Sequence, residues 1–184
     1  MTRTPEELFK ERNKRIEDAI QLKQPDRVPL SMFFTFFPAK YAGISCEEAM
    51  YNYDKLAEVS QKAIVEFDLD MYMNPFGIVA VGPLMEILGD RRFKWPGHGV
   101  PSNSTYQFVE GEHMKAEEYD EFITDTTDFM IRKYLPRALG ALEPLRLMPY
   151  IPGQYYLRLL TSTAVFGMPE VVKALESLMK AGAE

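Results

Sequence analysis

The feature that most constrains this chain is a strand, a helix and a second strand in succession near its amino end. Residues 28–34 form an apolar run typical of a strand, and residues 67–75 form a second run that closes at Pro75. Between them, a capping box that begins at Ser45 opens a helix predicted to reach Phe67. Parallel strands need such a crossover connection. The sequence therefore predicts a parallel βαβ unit.

The crossover helix is predicted from the spacing of its buried positions. These positions step by threes and fours along one face of a helix. They are Ala49, Tyr53, Leu56, Ala57, Ser60, Ile64 and Phe67.

Further elements are predicted on both sides of this unit. Thr4-Pro5-Glu6-Glu7 opens a first helix that runs to about Leu22, and residues 82–89 form a short helix. Two strand-like runs, 91–97 and 106–111, flank a loop rich in Pro, Gly and Ser, which predicts an inserted hairpin.

The carboxyl-terminal half is predicted to be mainly helical. Residues 115–123 form one helix, and Asp125 caps a second segment. Residues 138–165 show no clean period and are assigned as irregular helix. A last helix starts at Met168-Pro169, and Gly182 lies where a helix stop is expected.

Composition and charge exclude several classes of protein. Lys and Arg number 21 against 27 Asp and Glu, and the net charge of −6 argues against nucleic-acid and anionic-membrane partners. A single cysteine excludes an intrachain disulfide, and with two histidines no zinc-site spacing is present, so no metal site is predicted. Without a signal peptide or an apolar run of ~20 residues, we expect a cytoplasmic protein.

Several of these segments, in order and spacing, resemble the uroporphyrinogen decarboxylase superfamily. They are residues 25–30 (PDRVPL), the 45–67 helix, residues 67–70 (FDLD) and residues 84–89 (LMEILG). Residues 107–119 look like a branch tied to corrinoid-dependent methyl transfer and demethylation rather than to haem synthesis. The resemblance implies a (β/α)8 TIM barrel with its active site at the carboxyl ends of the strands.

The length of the chain bears on how much of such a barrel it supplies. A barrel of this type takes ~250 residues, so 184 residues with an insertion are expected to form an incomplete domain. The predicted fold is α/β, the amino-terminal portion of a TIM barrel with an inserted β-hairpin and extra helices. Its predicted segments are an N-terminal helix (1–24), the first βαβ unit (25–90), an insertion (91–140) and a helical segment (141–184).

An incomplete barrel has consequences for this chain in isolation. Its open strand edge, and apolar residues such as Phe33, Met71 and Met73, are left without the later strands that would cover them. We therefore expect self-association, strong binding of hydrophobic dyes and no catalytic activity of the chain alone.

Two departures from the decarboxylase pattern guide the functional hypothesis. Decarboxylases of the superfamily carry arginines just after strand one that hold the carboxylates of the porphyrinogen, whereas residues 32–37 here read MFFTFF. They also carry a carboxylate after strand two, where this chain has Met73-Asn74-Pro75. We therefore expect a methyltransferase-like protein acting on a small methylated compound. A uroporphyrinogen decarboxylase of porphyrin (haem) biosynthesis and a non-catalytic interaction module are the alternatives.

The resemblance also implies partners and cofactors for a full-length relative. These are a corrinoid protein and a zinc thiolate site, whose His and Cys ligands lie in the carboxyl-terminal half of the barrel. No cofactor is therefore expected within this chain, and its expected partners are a small-molecule substrate, a corrinoid protein and further copies of itself.

Four candidate substrate-binding residues lie near the two predicted strands. Asn74 follows strand two at the catalytic end of a barrel. Asp70 either points into the barrel mouth or is a structural carboxylate paired with an arginine or a backbone N–H. Phe34 and Phe36 either wall a substrate cavity or pack in the core.

Three further candidates lie in the predicted insertion. Gln107 and Glu110 either line a lid over the pocket or face solvent. His98, in the sequence Pro-Gly-His-Gly, is a candidate acid, base or corrinoid contact.

Cys46, at the N-terminus of the predicted crossover helix, has either a lowered pKa or an ordinary buried role.

Overall fold

The computed structural model describes residues 3–150 and 162–184. Over these residues the protein is α/β with about 61% helix, and its two small sheets do not close into a barrel. The chain divides into two compact units, Met1–Val81 and Gly82–Glu184, each of which is described here by itself. No helix within the described residues is both long enough and apolar enough to cross a bilayer.

The first unit opens with helix α1 (Pro5–Ile20), whose start confirms the predicted capping box. The Thr4 hydroxyl accepts the Glu7 N–H at 3.2 Å, and the Glu7 carboxylate accepts the Thr4 N–H at 2.8 Å. These two bonds satisfy backbone donors that lack partners in the first turn of a helix. The helix ends two residues earlier than predicted, and Leu22 beyond it takes a positive φ of 57°.

Two short strands form a parallel pair, which confirms the predicted βαβ unit. Strand β1 (Ser31–Phe33) pairs with β2 (Met71–Met73), with Met32 opposite Tyr72. Both strands are shorter than predicted. Pro29 has no N–H to donate to a ladder, and Asp68, with φ of 49°, turns the chain before β2.

Three helices join the strands, where the sequence predicts a loop followed by one long helix. They are α2 (Phe37–Ala42), α3 (Cys46–Tyr51) and α4 (Tyr53–Glu66). The predicted long helix is broken at Asn52, which is extended (φ −110°, ψ 92°) and whose Oδ1 accepts the Lys55 N–H at 3.0 Å. Asn is a favoured N-cap because its side chain replaces a missing intrahelical acceptor.

Arg15 and Asp70 form the centre of an ion-pair network at the amino ends of β1 and β2. The Arg15 side chain is 3% exposed and that of Asp70 is fully buried, and the two are directly hydrogen-bonded. Arg15 also donates to both carboxylate oxygens of Asp26, at 2.7 and 2.6 Å. Arg27 donates to both oxygens of Asp70, at 2.6 and 2.9 Å. Every member of the network is therefore paired with an opposite charge.

The network is continuous with the strand backbone. The Leu30 N–H donates to Asp70 Oδ2 at 2.8 Å, while the Asp70 and Met71 N–H groups donate to the Leu30 carbonyl at 3.0 and 3.2 Å. Burial favours the neutral acid of Asp70, but the Leu30 N–H and the Arg15 guanidinium outweigh it and lower its pKa. Hydrogen bonding to Arg15 lowers the pKa of Asp26 to about 2. Both carboxylates are thus ionised at neutral pH.

Alternate residues of a strand point to opposite sides, and all six residues of β1 and β2 are exposed. Tyr72 lies beside Ile64 of α4, and the core of this unit, Phe34 with Ala63 and Leu69, is nearby. Three apolar residues share the opposite side of the pair. They are Phe33, Met71 and Met73, and they are 54%, 45% and 53% exposed.

The unit ends with a short helix, α5 (Phe76–Val79), directly after β2. The second unit starts with α6 (Gly82–Leu88), which confirms the predicted short helix. Gly89, just past its end, has φ of 61°, a conformation that favours glycine at a helix terminus.

The predicted hairpin is present in the second unit as a small sheet. Strand β3 (Phe93–Pro96) is followed by β4 (Gly99–Val100) and pairs antiparallel with β5 (Gln107–Phe108). Phe93 lies opposite Phe108, with their ring centroids 5.3 Å apart.

The rest of the second unit is helical, as predicted, but more fragmented. Asp125 caps its segment as predicted, accepting the Asp128 N–H at 3.0 Å. The last helix is longer than predicted, since Gly182 lies inside it. The helices of this part of the second unit are α7 (Tyr119–Thr124), α8 (Thr126–Phe129), α9 (Leu135–Ala138) and α10 (Pro169–Ala183). The unit also has 3₁₀ segments at Ala116–Glu118, Gly140–Leu147 and Thr163–Gly167 and a π-type turn at Met130–Tyr134.

The core of the second unit lies between α9, the 140–147 segment and α10. Leu142, Leu145 and Ala174 are buried there. Part of the predicted irregular region, residues 151–161, lies outside the described residues.

Replacement of Asp70 by asparagine is expected to destabilise the protein strongly. The change leaves Arg15 and Arg27 facing a neutral amide, and removing one partner of a buried ion pair costs about 3–5 kcal/mol. The matched control is Asp68→Asn, since Asp68 is 73% exposed in its pair with Arg12 and exposed pairs contribute about 1 kcal/mol or less. Chemical denaturation measures both free energies of unfolding. Equal losses for the two variants would contradict a structural role for the network.

The exposed face of β1 and β2 is expected to bind a hydrophobic dye such as ANS. Introducing lysine at both Met71 and Met73 should lower dye fluorescence and self-association without unfolding the chain, because both side chains are already half exposed. Met179→Lys, a change at a residue 76% exposed on α10, is the control and should have a smaller effect. Dye titration and sedimentation measure the two properties. A dye-silent monomer would show that this face is not adhesive.

Candidate functional site

An open pocket with a volume of about 380 Å³ lies beside the carboxyl end of β2. One wall comes from α4 and the other from β2 and the start of α5. The lining residues are Ala57, Ser60, Gln61, Ile64, Tyr72, Asn74, Pro75 and Phe76. None of these described residues carries a charge, so the pocket is apolar with a few neutral hydrogen-bonding groups.

Asn74 lies in this pocket, at the position relative to β2 that the sequence predicts. Its Oδ1 accepts the Phe76 N–H at 3.0 Å, which fixes the turn from the strand into α5. Its Nδ2 makes no hydrogen bond within the described part of the chain. Asn74 is exposed, so this amide group is accessible to solvent or to a ligand.

Asp70 lies at the other end of β2. It precedes the strand, and its buried carboxylate is fully engaged by Arg15, Arg27 and the Leu30 N–H. These are the contacts expected if Asp70 is a structural carboxylate paired with an arginine or a backbone N–H. The strand begins after Asp70 and not before it, so Asp70 and Asn74 are at opposite ends of β2.

Phe34 and Phe36 are both buried, at 1% and 2% exposure. Phe34 packs against Ala63 and Leu69 in the core of the first unit. Neither phenylalanine lines the pocket beside Asn74. Their placement is that of core packing.

His98 lies in the tight turn between β3 and β4 of the second unit. Its ring stacks on that of Trp95, with centroids 4.9 Å apart, and its Nε2 is 2.8 Å from Glu86 Oε1. Gly97 and Gly99, on either side, have φ of 79° and 86°, so the turn depends on both glycines. The imidazole is therefore held by a ring and a carboxylate.

Gln107 and Glu110 are exposed in the same unit. Gln107 lies on β5, and its Nε2 donates to the Phe108 carbonyl at 3.3 Å. Among the seven candidates, Asn74 is the one that lines the neutral pocket.

Cys46 is buried, and burial raises the pKa of its thiol. Of the two alternatives for Cys46, a buried thiol with a raised pKa is the one expected of an ordinary buried role. Across residues 3–150 and 162–184, no three His, Cys, Asp or Glu side chains converge as metal ligands would.

Sequence reasoning missed Ser60, Tyr72 and Phe76 as pocket residues. One signal was present for Ser60, because it is a polar residue on a helical stripe that is otherwise apolar or aromatic. Tyr72 and Phe76 gave no comparable signal, since aromatic residues are common in strands and cores.

Comparison of this chain with protein-family models, with curated proteins and with solved structures found no match.

Replacement of Asn74 by alanine is expected to destabilise the turn after β2 by about 1 kcal/mol, through loss of its bond to the Phe76 N–H. Asn74→Asp keeps an acceptor oxygen at the same place and should retain most of the stability. Thermal or chemical unfolding of the two variants measures the difference. A larger loss for the aspartate variant would mean that the bond does not support the turn.

Proposed function

We propose that this chain supplies the first strands of a uroporphyrinogen-decarboxylase-type barrel in a corrinoid-linked methyltransferase, and that it contributes the pocket for a small methylated compound. The parallel pairing of β1 and β2 through helices is compatible with the first βα units of such a barrel. The observation that supports the functional part is where the charged groups lie: the ion pairs around Arg15 and Asp70 precede β1 and β2, whereas the pocket after β2 has no charged lining residue among those described.

All arginines of residues 1–81 lie before β1 in the chain. Each of them is paired with a carboxylate of the same unit. The pairs are Arg3 with Glu11, Arg12 with Asp68, Arg15 with Glu11, Asp26 and Asp70, and Arg27 with Asp70. The pocket beside the carboxyl end of β2 has no charged lining residue among those described. A substrate bearing many carboxylates needs arginine or lysine at its binding site, because the charges must be desolvated and paired.

The size of the pocket supports the same conclusion. Its volume of about 380 Å³ is near the lower end of the ~300–1,000 Å³ found for small-molecule sites. A pocket of this size suits a compound of one ring or a short chain. Uroporphyrinogen, with four pyrrole rings and eight carboxylates, fits neither its size nor its charge.

The roles of this chain's own residues in the proposed reaction are binding and orientation. The Asn74 Nδ2 group donates to the substrate, and the rings of Tyr72 and Phe76 contact its apolar part. A corrinoid on its carrier protein supplies the methyl acceptor. Holding the methyl donor in one orientation toward that acceptor is the protein's contribution to the rate.

The test compares two chemistries on the longest polypeptide that the gene encodes. Methyl transfer to cob(I)alamin from methoxyl and methylamine donors is followed by absorbance, and formation of coproporphyrinogen from uroporphyrinogen is followed by chromatography. We expect methyl transfer that falls about tenfold in Asn74→Ala, since a misoriented donor reacts more slowly. Robust coproporphyrinogen formation would instead establish the decarboxylase alternative.

A further inference from the structure

The hydroxyl of Ser60 is buried without a hydrogen-bond partner. Ser60 lies on α4 and is 4% exposed, and its Oγ has neither solvent contact nor a donor or acceptor within reach among the described residues. Buried hydroxyls are nearly always hydrogen-bonded, because a hydroxyl that loses water without gaining a partner destabilises the fold. An orphan hydroxyl therefore calls for a physical explanation.

The location of Ser60 supplies one. It lines the neutral pocket beside β2, together with Gln61 from the next position of α4 and Asn74 from the opposite wall. In the structure Oγ itself is buried, so contact with a ligand requires rotation about the Cα–Cβ bond, which has three staggered positions. A hydroxyl both donates and accepts, so it can pair with either kind of oxygen on a ligand.

The remaining walls are apolar and aromatic. Tyr72 and Phe76 contribute rings, and Ala57, Ile64 and Pro75 contribute aliphatic surface. The neighbouring pocket of this unit, about 520 Å³ in volume, differs because Arg12 and Asp70 are among its lining residues. The Ser60 pocket thus combines neutral hydrogen-bonding groups with an apolar body.

We propose that this pocket binds a neutral compound with an apolar ring or short chain and one hydroxyl, ether or carbonyl oxygen, and that Ser60 is the residue that recognises this oxygen. The inference rests on the proposed function and deepens it, since it assigns a class of substrate to the same pocket. It selects oxygen-linked donors over methylammonium cations and over carboxylates.

The charge of the ligand follows from what the pocket lacks. A cation or an anion in this pocket would meet no opposite charge on the described walls, so any water that it lost would not be replaced by a charged partner. A neutral oxygen compound loses one or two hydrogen bonds to water and regains them from Ser60 and Asn74. Its apolar part is stabilised by contact with Tyr72 and Phe76.

The experiment uses three probes of nearly the same shape and different charge: benzyl alcohol, benzylammonium and benzoate. Each is titrated into the whole chain, and binding is read from the NMR amide shifts of Tyr72 and Phe76. We expect benzyl alcohol to bind about tenfold or more tightly than either ion, with a dissociation constant in the millimolar range typical of so small a ligand.

Ser60→Ala separates recognition from packing because its two expected effects have opposite signs. Removing an orphan hydroxyl should raise the melting temperature of the ligand-free protein by a few degrees. The same change should weaken benzyl alcohol binding about tenfold. Ser177→Ala is the control, since the Ser177 hydroxyl donates to the Lys173 carbonyl at 3.0 Å and lies in the other unit.

A second variant tests the pocket itself: Ala57→Phe, at an exposed position, fills the pocket and should abolish binding of the probe.

Each result decides a part of the proposal. Equal or tighter binding of either ion would overturn the neutral class, and unchanged benzyl alcohol affinity in Ser60→Ala would overturn the role of Ser60. Absence of any shift at Tyr72 and Phe76 would mean that no such site exists. If binding depends on Ser60 while the longest gene product transfers no methyl group, the pocket stands and the methyltransferase proposal fails. Methyl transfer without Ser60-dependent binding would support the methyltransferase and overturn the Ser60 pocket.

Discussion

The buried ion pair between Arg15 and Asp70 is the interaction on which the arrangement of the first unit depends. It joins α1 and the entry to β1, which are neighbours in the sequence, to the start of β2, where Asp70 lies 55 residues after Arg15. Removing a guanidinium and a carboxylate from water is costly, and such a pair is retained only where further hydrogen bonds complete it. Asp26 and Arg27 provide that completion, and hydrogen bonding to Asp26 raises the pKa of Arg15.

This placement gives the two strands a polarity. The paired charges lie at the amino ends, where Leu30 and Asp70 exchange backbone and side-chain bonds that set the register. The carboxyl end of β2 leads instead into Asn74 and a neutral pocket. Charges that stabilise the fold are thereby kept at the opposite end of β2 from the pocket proposed to bind substrate. In a barrel of the type proposed for this chain, stability at the amino ends and chemistry at the carboxyl ends is the usual division.

Much of the local structure could be predicted from the sequence, because its signals act over three or four residues. The capping box at Thr4 and the cap at Ser45 are of this kind, as is the helix ended by Gly89. The break at Asn52 was not predicted, since the apolar stripe continues across it and an asparagine cap competes with an unbroken helix.

The candidate site was predicted only in part, because its other residues depend on long-range contacts. Asn74 was found since it directly follows a strand, whereas the role of Asp70 depends on Arg15, 55 residues earlier. Phe34 is buried against Ala63 of α4 and Leu69, contacts that the spacing of residues does not reveal, and α2, which begins directly after Phe36, was not predicted. His98 was recognised as a candidate, but its stacking on Trp95 and its pairing with Glu86 could not be read from spacing.

Amide hydrogen exchange tests most directly whether the network sets the register of β1 and β2. The Asp70 and Met71 amides both donate to the Leu30 carbonyl, and the Leu30 amide donates to the buried Asp70 carboxylate. These three amides should therefore exchange slowly, at rates comparable to those in the middle of α4, because opening them requires disruption of the buried charges. Rapid exchange at all three, with α1 and α4 still protected, would show that the helices fold without the network and would contradict the account.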